Sequence, residues 1–336
     1  MDQEAFESRG WVKVPGLVSG SAIDRLLQEF KANVLPSTEP MHRQPNFSRT
    51  SGEAAHPHGV DEMNAVSPHG FLINGLKDPH NWEASNHLFA SLILDILSAR
   101  GIRKALSTAH PALDWVLHAT MFFDRNQATE PHEDIYYIDS NPTGACLGFW
   151  LALEDIDERA GRFYFVEGSH KDSARNARHP MELENAEHLK VIEEYTSRNR
   201  NRLVAPELRK GDALIWHGRT IHGALPVQDE RFSRKSLTAH FVDSERVGRN
   251  RFRDFTSVEI RRFNDLRYVA AIRPDENAFA PVSACIRDVQ LPGGRYRFVG
   301  IDRAGGDRVV LALEPGRDRS QIEALIGSLG DVLRQG

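Results

Sequence analysis

The spacing of apolar residues changes near Asp114, where a helical pattern gives way to a strand pattern. Five short runs beyond this point combine β-branched and aromatic residues: WVLHATMFFD, ACLGFWLALED, GRFYFVEG, DALIWHG and SLTAHFVD. Turn sequences such as NPTG, ERAG and RKGD separate them. Many short strands in succession are typical of an antiparallel sandwich or barrel. A helical insert between two of these strands is expected at about 182–198.

Two helices are expected before this change. Apolar residues recur every three or four positions over 23–30, and Ser21 and Asp24 have a capping-box-like spacing ahead of them. A second apolar run, at about 85–98, predicts another helix that ends near Gly101.

A short extended segment is expected at 10–18, and irregular sequence rich in Pro, His, Ser, Asn and Gly fills residues 35–80. A loop of that length is usually functional or disordered, and we predict that it forms a lid or substrate loop. His56 and His58 have the spacing of two metal ligands, but nothing nearby completes a site. A solvated loop is therefore the preferred interpretation of this pair.

The C-terminal part has a pattern of its own. YRFVGI (296–301) and RVVLAL (308–313) flank AGGD and predict a β-hairpin. Apolar residues spaced along 320–334 predict a final helix. A hairpin and one helix are too small to bury their apolar faces alone. We therefore expect 266–336 to be an extension that packs on the core domain, residues 1–265, or at a homodimer interface.

Composition narrows the class of protein. The 336 residues allow a sizeable core, and 40% apolar with 26% charged residues is ordinary for a soluble globular chain. The net charge of −5 gives no sign of nucleic acid or an anionic membrane as a partner, and no window approaches the roughly 20 apolar residues of a membrane span. The N-terminus lacks signal-peptide features, and Cys146 and Cys285 lack the spacing of a zinc site or disulfide framework. These features predict a cytoplasmic protein with a small-molecule partner.

The sequence ATEPHEDIYYIDS places His132 and Asp134 two positions apart. Because side chains alternate along a strand, both would project from one face of a strand or of its fraying end. An imidazole and a carboxylate are two of the three ligands of the 2-His-1-carboxylate facial triad, which leaves three positions of Fe(II) open. The third ligand should be a downstream histidine, and GDALIWHGRTIHGALP offers His217 and His222. An ordinary surface pair ahead of a turn is the alternative interpretation.

Arg234, twelve residues beyond His222, adds a second chemical group to this pattern. An oxygenase that uses 2-oxoglutarate needs a cation for the distal carboxylate of this cosubstrate, and a guanidinium can bind it through two hydrogen bonds. Ser236 would lie on the same strand face, where its hydroxyl could join the interaction. Arg231 is the alternative cation.

Taken together, these features resemble the phytanoyl-CoA dioxygenase family of Fe(II)/2-oxoglutarate oxygenases over roughly 5–245. The resemblance rests on GWVKVPGLV with its helix, the His132-x-Asp134 pair, FWLALEDIDERAGRFYFVEGSHK, and GDALIWHGRTIHGA leading to Arg234. It implies a mainly β fold with flanking helices, built on a double-stranded β-helix (jelly roll). It also implies Fe(II), 2-oxoglutarate and O₂ as cofactors.

Carried over residue by residue, the resemblance makes His132, Asp134 and His222 the iron ligands and Arg234 the partner of the distal carboxylate. His222 is preferred to His217 because it begins the His-Gly-Ser-like turn of the family, here HGA.

Other positions match the family less closely. Trp150 matches a tryptophan that lines the cosubstrate pocket, and Met121 matches a residue beside the same molecule, although both would also suit a barrel core. Ala224 replaces a serine that often assists the cosubstrate, so Ser236 or a water would take its place. The Gly-Ser-His sequence at 168–170 resembles a structural turn of the family and lacks the strand–turn–helix context of a hydrolase nucleophile.

The resemblance implies hydroxylation of an unactivated C–H bond in a small-molecule metabolite, with release of succinate and CO₂. Desaturation, cyclisation or epimerisation at the same site are alternatives, because they differ only in the fate of the substrate radical after hydrogen abstraction. A non-redox, cupin-like metal- or ligand-binding protein is a further alternative, although it would have no need of the Arg234 clamp. Asp134 argues against a halogenase, which needs Gly or Ala at that position to admit a halide.

Overall fold

The computed structural model of the protein describes ten segments of the chain: residues 2–43, 60–82, 85–110, 114–138, 146–172, 185–244, 256–274, 286–291, 294–302 and 308–312. The predictions for His56, His58 and the helix at 320–334 fall outside the described residues. Within them, no helix is both long enough and apolar enough to cross a membrane.

The α-helices of the described residues are short and lie mostly in the first third of the chain. They are α1 (Gln3–Arg9), α2 (Gly20–Glu29), α3 (His87–Leu97), α4 (Arg100–Ala109) and α5 (Asn185–Arg198). A π-helical turn, Phe30–Val34, continues α2.

Strands make up most of the remaining described structure. They are β1 (Trp11–Val14), β2 (Met41–Arg43), β3 (Val60–Glu62), β4 (Leu76–Lys77), β5 (Trp115–Phe123), β6 (Cys146–Ala152), β7 (Phe163–Val166), β8 (Leu203–Val204), β9 (Ala213–His217), β10 (His222–Ala224), β11 (Ser236–Asp243), β12 (Thr256–Phe263), β13 (Leu266–Pro274), β14 (Ile286–Leu291), β15 (Gly294–Asp302) and β16 (Arg308–Ala312).

The strands form a jelly roll with one large and one small sheet. The large sheet runs β1-β9-β6-β11-β5-β4-β2-β3, with β13 beside β5 and β12 beside β13. The small sheet has the order β10-β7-β8, and β14, β15 and β16 form a third sheet. The fold is mainly β with flanking helices, as the sequence predicted.

The two faces of the large sheet bury different sets of residues. On its outer face, alternate residues of β6, β9 and β11 join helices α2, α3 and α4 in one apolar cluster; the strand members include Leu147, Phe149, Leu151, Ile215, Leu237, Ala239 and Phe241. The other residues of the same strands face the small sheet, in a cluster that includes Trp150, Leu214 and Trp216 with Phe163 and Phe165 of β7. Because both faces are covered, β6 and β11 are buried along their whole length.

The helices differ from the sequence prediction at the start of α2 and in the presence of α4. The N-cap of α2 is Ser19, whose hydroxyl accepts from the Ala22 N–H, and Ser21 lies inside the helix. The helix predicted at about 85–98 is α3, which runs from His87 to Leu97 and ends before Gly101. The extended backbone of Ala99 interrupts the helical conformation, and a separate helix, α4, begins at Arg100.

The predicted loop at 35–80 contains strand structure where it is described. Leu76 of β4 pairs with Phe122 of β5, and Arg43 of β2 pairs with Leu76, so these short strands extend the large sheet. The Asn64 amide donates to the carbonyl oxygens of Val34 and Leu35, which close the end of the π-helical turn. Residues 44–59 of this segment lie outside the described part, and a lid function stays a prediction.

Two hairpins come after the core strands. The predicted hairpin is confirmed as β15–β16, paired from Phe298↔Ala312 to Asp302↔Arg308, and β14 adds a third strand to it. The predicted domain boundary after residue 265 falls in the turn between β12 and β13, which pair along eight registered positions. Tyr268 of β13 pairs with Leu117 of β5, which joins this hairpin to the large sheet. The division into a core and an extension stays a prediction.

Candidate metal centre

The small sheet brings His132 and His222 side by side. Each backbone N–H donates to the carbonyl oxygen of the other residue at 3.0 Å, and the two form an isolated antiparallel bridge at the end of β10. The ring centroids are 4.2 Å apart. His132 and His222 are therefore direct cross-strand neighbours, although 90 residues separate them in the sequence.

Backbone carbonyls decide which nitrogen of each ring is protonated. His132 Nδ1 lies 2.8 Å from the carbonyl oxygen of Glu130, and His222 Nδ1 lies 2.9 Å from that of Thr220. A carbonyl oxygen only accepts, so Nδ1 carries the proton in both rings. The Nε2 lone pairs remain available for a metal, and the carbonyls fix the orientation of both rings.

Asp134 completes the cluster. Its backbone N–H donates to the carbonyl oxygen of Gly218 at 2.9 Å, and it begins a 3₁₀ turn, Asp134–Tyr136, beyond the His132 bridge. Its Oδ1 lies 3.8 Å from His132 Nε2 and 3.5 Å from His222 Nε2. The three ligand atoms lie within 4.8 Å of one another, an arrangement that can hold one metal ion. The spacing predicted a strand, but the pair does not lie on one: His132 forms an isolated bridge to His222, and Asp134 begins a 3₁₀ turn.

The charges of these groups suit a metal site. Burial by itself raises the pKa of Asp134. The electrostatic and hydrogen-bond effects of His222, His240 and His132 together are larger and opposite, so the pKa lies below its usual range. Burial lowers the pKa of His222 to about 3, against the opposing effect of Asp134. At neutral pH the site therefore presents an ionised carboxylate and a neutral imidazole, which are the forms that bind metals.

Two residues that the sequence analysis did not assign also contact Asp134. Trp216 Nε1 donates to Asp134 Oδ2 at 2.7 Å, and His240 Nε2 lies 3.3 Å from Asp134 Oδ1. A hydrogen bond to a charged group contributes about 1.5–3 kcal/mol. The alternation of β11 contained the signal for His240, because Ser236 and His240 are four residues apart and share a strand face.

Aromatic side chains and a turn support His222. Phe163 stacks on its ring with a centroid distance of 5.3 Å and an interplanar angle of 11°. The hydroxyl of Ser169, in the Gly-Ser-His turn, accepts from the backbone N–H of Ile221 at 2.8 Å. This sequence therefore acts as a structural turn next to the metal cluster, as predicted.

Arg234 is a buried cation without a carboxylate partner among the described residues. Only 3% of it is exposed, and burial lowers its pKa to about 10. Its Nη1 donates to the carbonyl oxygen of Gly161 at 3.0 Å, whereas its Nε has no hydrogen-bond partner in the described part of the chain. The buried hydroxyl of Ser236 also lacks one there. Unpaired buried donors of this kind fit an anionic ligand such as a carboxylate.

Arg231 and His217, the alternatives to Arg234 and His222, make different contacts. Arg231 pairs with Asp229 at 2.7 Å, and 73% of its side chain is exposed. His217 Nδ1 accepts from the backbone N–H of Arg219 at 3.0 Å, and His217 is not part of the three-residue cluster. The structure thus brings together His132, Asp134 and His222.

The two residues assigned to the cosubstrate pocket lie on the inner face of the large sheet. Thr238 of β11 is the register partner of both Met121 and Trp150. Trp150 is fully buried against Phe163, with ring centroids 5.9 Å apart, and Met121 is partly exposed.

The sequence matches a known protein family and individual proteins that carry its name. The chain matches the sequence model of the family described as Phytanoyl-CoA dioxygenase (PhyH) over residues 6–236. A phytanoyl-CoA dioxygenase domain-containing protein 1 from Danio rerio is 24% identical over 274 residues, which are 73% of this chain and 90% of that relative. The peroxisomal phytanoyl-CoA dioxygenase of Bos taurus is 29% identical over 116 residues, which are 34% of this chain and 33% of the relative.

Solved structures similar to this chain include the non-heme alpha ketoglutarate dependent carbocyclase SnoK from nogalamycin biosynthesis. It is 19% identical, has a TM-score of 0.49, and the alignment covers 73% of this chain and 85% of SnoK. EctD from S. alaskensis with bound Fe is 14% identical, has a TM-score of 0.48, and the alignment covers 72% of this chain and 75% of EctD.

Proposed function

The chain belongs to the phytanoyl-CoA dioxygenase family, and on this premise we propose that it is an Fe(II)- and 2-oxoglutarate-dependent dioxygenase that hydroxylates a small-molecule metabolite. The observation that carries the proposal is the cluster of His132, Asp134 and His222, whose ligand atoms lie within 4.8 Å of one another. A facial triad of this composition leaves three metal positions open for cosubstrate and O₂.

The three metal-binding residues and Arg234 have separate roles. His132 and His222 present Nε2 lone pairs, and Asp134 presents a carboxylate oxygen, so these three hold the metal. Arg234 lies buried two residues before β11, where its guanidinium would bind the distal carboxylate of 2-oxoglutarate. A buried cation that gains an anionic partner recovers part of its desolvation cost, which favours this ligand over a neutral one.

The chain's contribution is orientation and exclusion of water. Carbonyl oxygens of Glu130 and Thr220 hold the imidazoles, and the aromatic cluster of Phe163 and Trp216 covers one side of His222. Bound at these atoms, Fe(II) with 2-oxoglutarate and O₂ would supply the oxidation of an unactivated C–H bond, with one oxygen atom entering the substrate and the other entering succinate as CO₂ is released.

The proposal is tested first without a substrate. Metal-free protein is mixed anaerobically with Fe(II) and 2-oxoglutarate, and we expect a weak visible charge-transfer band in the wild type. The variants His132→Ala, Asp134→Ala and His222→Ala should lose the band while remaining folded by circular dichroism. His217→Ala is the matched control and should retain it. A wild type without the band, or an Asp134→Ala variant that keeps it, would refute the facial triad.

The second step identifies the reaction. Wild-type protein is incubated aerobically with Fe(II), 2-oxoglutarate and fractionated metabolite pools, and succinate is measured for each fraction. We expect substrate-stimulated succinate formation and a product heavier by one oxygen atom. A product that has lost two hydrogen atoms, or an isomer of the substrate, would replace hydroxylation by desaturation, cyclisation or epimerisation at the same centre.

A further inference from the structure

Asp134 is held by two donors that lie outside the metal-ligand set, and we propose that Trp216 and His240 form a clamp that positions this carboxylate. The inference rests on the proposed function, because it assigns these two residues a role at its metal centre. Trp216 Nε1 donates to Oδ2 at 2.7 Å, while His240 Nε2 lies 3.3 Å from Oδ1. Each carboxylate oxygen therefore has its own partner.

The clamp is built into one row of the large sheet. Gly148 of β6 is the register partner of Trp216 on one side and of His240 on the other. Residues directly opposite one another in an antiparallel sheet project from the same face. Trp216 and His240 thus both point into the barrel toward Asp134, from strands that flank the same glycine.

Gly148 makes room for the indole. A β-carbon at this position would overlap the Trp216 ring, including Nε1. The indole occupies the space that such a β-carbon would fill, and its Nε1 reaches Asp134 from there. An added methyl group would have to displace the ring, and with it the hydrogen bond to Oδ2.

His240 acts as a donor and not as a further metal ligand. Its Nδ1 is buried and has no hydrogen-bond partner among the described residues. An ionised carboxylate oxygen only accepts, so the proton lies on Nε2 and points at Asp134 Oδ1. His132 and His222 have the opposite tautomer. In both rings the proton lies on Nδ1, which donates to a backbone carbonyl oxygen, and Nε2 is unprotonated.

The clamp also decides which carboxylate oxygen binds the metal. Each oxygen accepts from one donor, Oδ2 from Trp216 and Oδ1 from His240, and each keeps a second lone pair. Of the two, Oδ1 is the atom close to the Nε2 atoms of His132 and His222. Asp134 would therefore bind the metal through Oδ1 alone. Since bidentate binding would occupy a further metal position, one-atom binding preserves the open positions that the proposed reaction needs.

The test is Mn(II) binding to the metal-free protein, measured by electron paramagnetic resonance of the free ion. We expect Trp216→Phe, Gly148→Ala and His240→Leu each to bind Mn(II) roughly 10- to 100-fold more weakly than the wild type, the usual effect of losing a group that orients a ligand. His240→Gln keeps an N–H donor and should recover most of the affinity. The visible spectrum of bound Co(II) should change in Trp216→Phe, since Oδ2 becomes available to the metal.

Trp11→Phe is the matched control for Trp216→Phe. Trp11 is the register partner of Trp216 and lies in the same apolar cluster, and its buried Nε1 has no partner among the described residues. This variant loses the same atoms from the same core, so it should lower the melting temperature without changing Mn(II) affinity or the Co(II) spectrum. Any loss shared by both tryptophan variants is a packing effect.

The outcomes separate the clamp from the proposed function. A wild type that binds Mn(II) no more tightly than His132→Ala would overturn the metal centre itself. If the wild type binds Mn(II) and both His240→Leu and Trp216→Phe bind it equally well, the centre stands and the clamp is wrong. Should Trp216→Phe not fold, His240→Leu against His240→Gln decides the question alone.

Discussion

The three histidines around Asp134 differ in which ring nitrogen carries the proton, and this difference assigns their roles. His132 and His222 donate from Nδ1 to a carbonyl oxygen two residues earlier in the chain. His240 has no such contact and donates from Nε2 to the carboxylate. The sequence predicts His132 and Asp134 because their spacing is local. The alternation of β11 places His240 on the inner face, but neither its contact with Asp134 nor any tautomer can be predicted from the sequence, because both depend on how distant segments meet.

Arg234 provides the first prediction at this scale. Arg234→Ala should raise the 2-oxoglutarate concentration needed for turnover by tens to thousands of fold, because a buried charge partner contributes about 2–5 kcal/mol. Mn(II) affinity should stay unchanged, since Arg234 does not contact the three ligands. Arg231→Ala removes an exposed guanidinium three positions away and should leave the 2-oxoglutarate requirement as it is. The reverse result, with Arg231→Ala impaired and Arg234→Ala normal, would transfer the role to Arg231.

Among the elements, long strands are predictable from the sequence and short ones are not. β5, β6, β9 and β11 correspond to runs of aromatic and β-branched residues, whereas β2, β3 and β4 have two or three residues each and show no period. Such strands form because a neighbouring edge is available, as Leu76 shows by pairing with Phe122. The apolar run through 85–98 predicts α3, whereas α4 was not predicted, because Ile102 and Leu106 are the only large apolar residues among Arg100–Ala109.

The turn that presents Gly161 to Arg234 depends on Asn126. The Asn126 side-chain amide donates to the carbonyl oxygens of Ala160, Gly161 and Leu225 at 3.0–3.1 Å. Asn126→Ala leaves these acceptors without that donor, at a cost of about 1–3 kcal/mol in unfolding free energy. Because Gly161 also accepts from Arg234, the 2-oxoglutarate requirement should rise as well, with Mn(II) affinity unchanged.

The neighbouring Gln127→Ala is the control for this prediction, since the Gln127 amide makes one long contact of 3.5 Å. Enzyme assays give the 2-oxoglutarate requirement, and urea unfolding gives the stability. A destabilised Asn126→Ala variant with an unaltered 2-oxoglutarate requirement would separate the turn from the Arg234 site.

His80, in the 3₁₀ turn Pro79–Asn81, forms hydrogen bonds to β5 and β13, and these contacts should depend on pH. Its Nε2 donates to the carbonyl oxygen of Val269 at 3.2 Å, and its Nδ1 accepts from the Thr120 hydroxyl at 2.7 Å. Burial lowers its pKa, against smaller opposing effects of Asp78 and the Val269 carbonyl. The folded chain therefore resists protonation at pH values where the unfolded chain already accepts the proton.

Acid should therefore weaken the contribution of His80 to stability. This contribution is complete above about pH 6.5, the ordinary pKa of histidine, and is lost as pH falls below it toward the lowered pKa of the folded state, by up to about 1.4 kcal/mol per pH unit. Urea unfolding at pH 8 and pH 5.5 should show a smaller decrease for His80→Gln than for the wild type. His42→Gln, at a more exposed histidine, should behave like the wild type; an equal decrease in all three would exclude His80 as the cause.

For the whole molecule, an apolar core lies on each side of the large sheet, and this is why the class of fold could be predicted. The point along the chain at which the core domain ends could not be predicted. Runs such as CLGFWLA are apolar throughout because helices cover one face and the small sheet covers the other. The class of fold can be predicted from many such runs in succession. How far the core extends depends on pairings such as Tyr268↔Leu117, which no local pattern in the sequence indicates.

Truncation tests how the C-terminal part relates to the core. A chain ending at residue 255 loses β12 and β13, whose Tyr268 and Val269 are each only 3% exposed. It also removes the carbonyl oxygen of Val269, which accepts from His80 and Asn81. Losing this burial and leaving two donors unpaired should lower the melting temperature strongly or prevent folding.

A chain ending at residue 274 keeps that hairpin and removes only residues 275–336, which include β14, β15 and β16. Because three strands and a predicted helix form a small unit with little core of its own, we expect these elements to pack on the chain's own barrel, with a dimer interface as the alternative. The shorter chain should then be less stable or less soluble than the full chain, as measured by thermal unfolding and by light scattering after size exclusion. A dimeric full chain beside a monomeric truncated chain would favour the interface, whereas a soluble, monomeric and fully active truncated chain would make residues 275–336 an independent appendage.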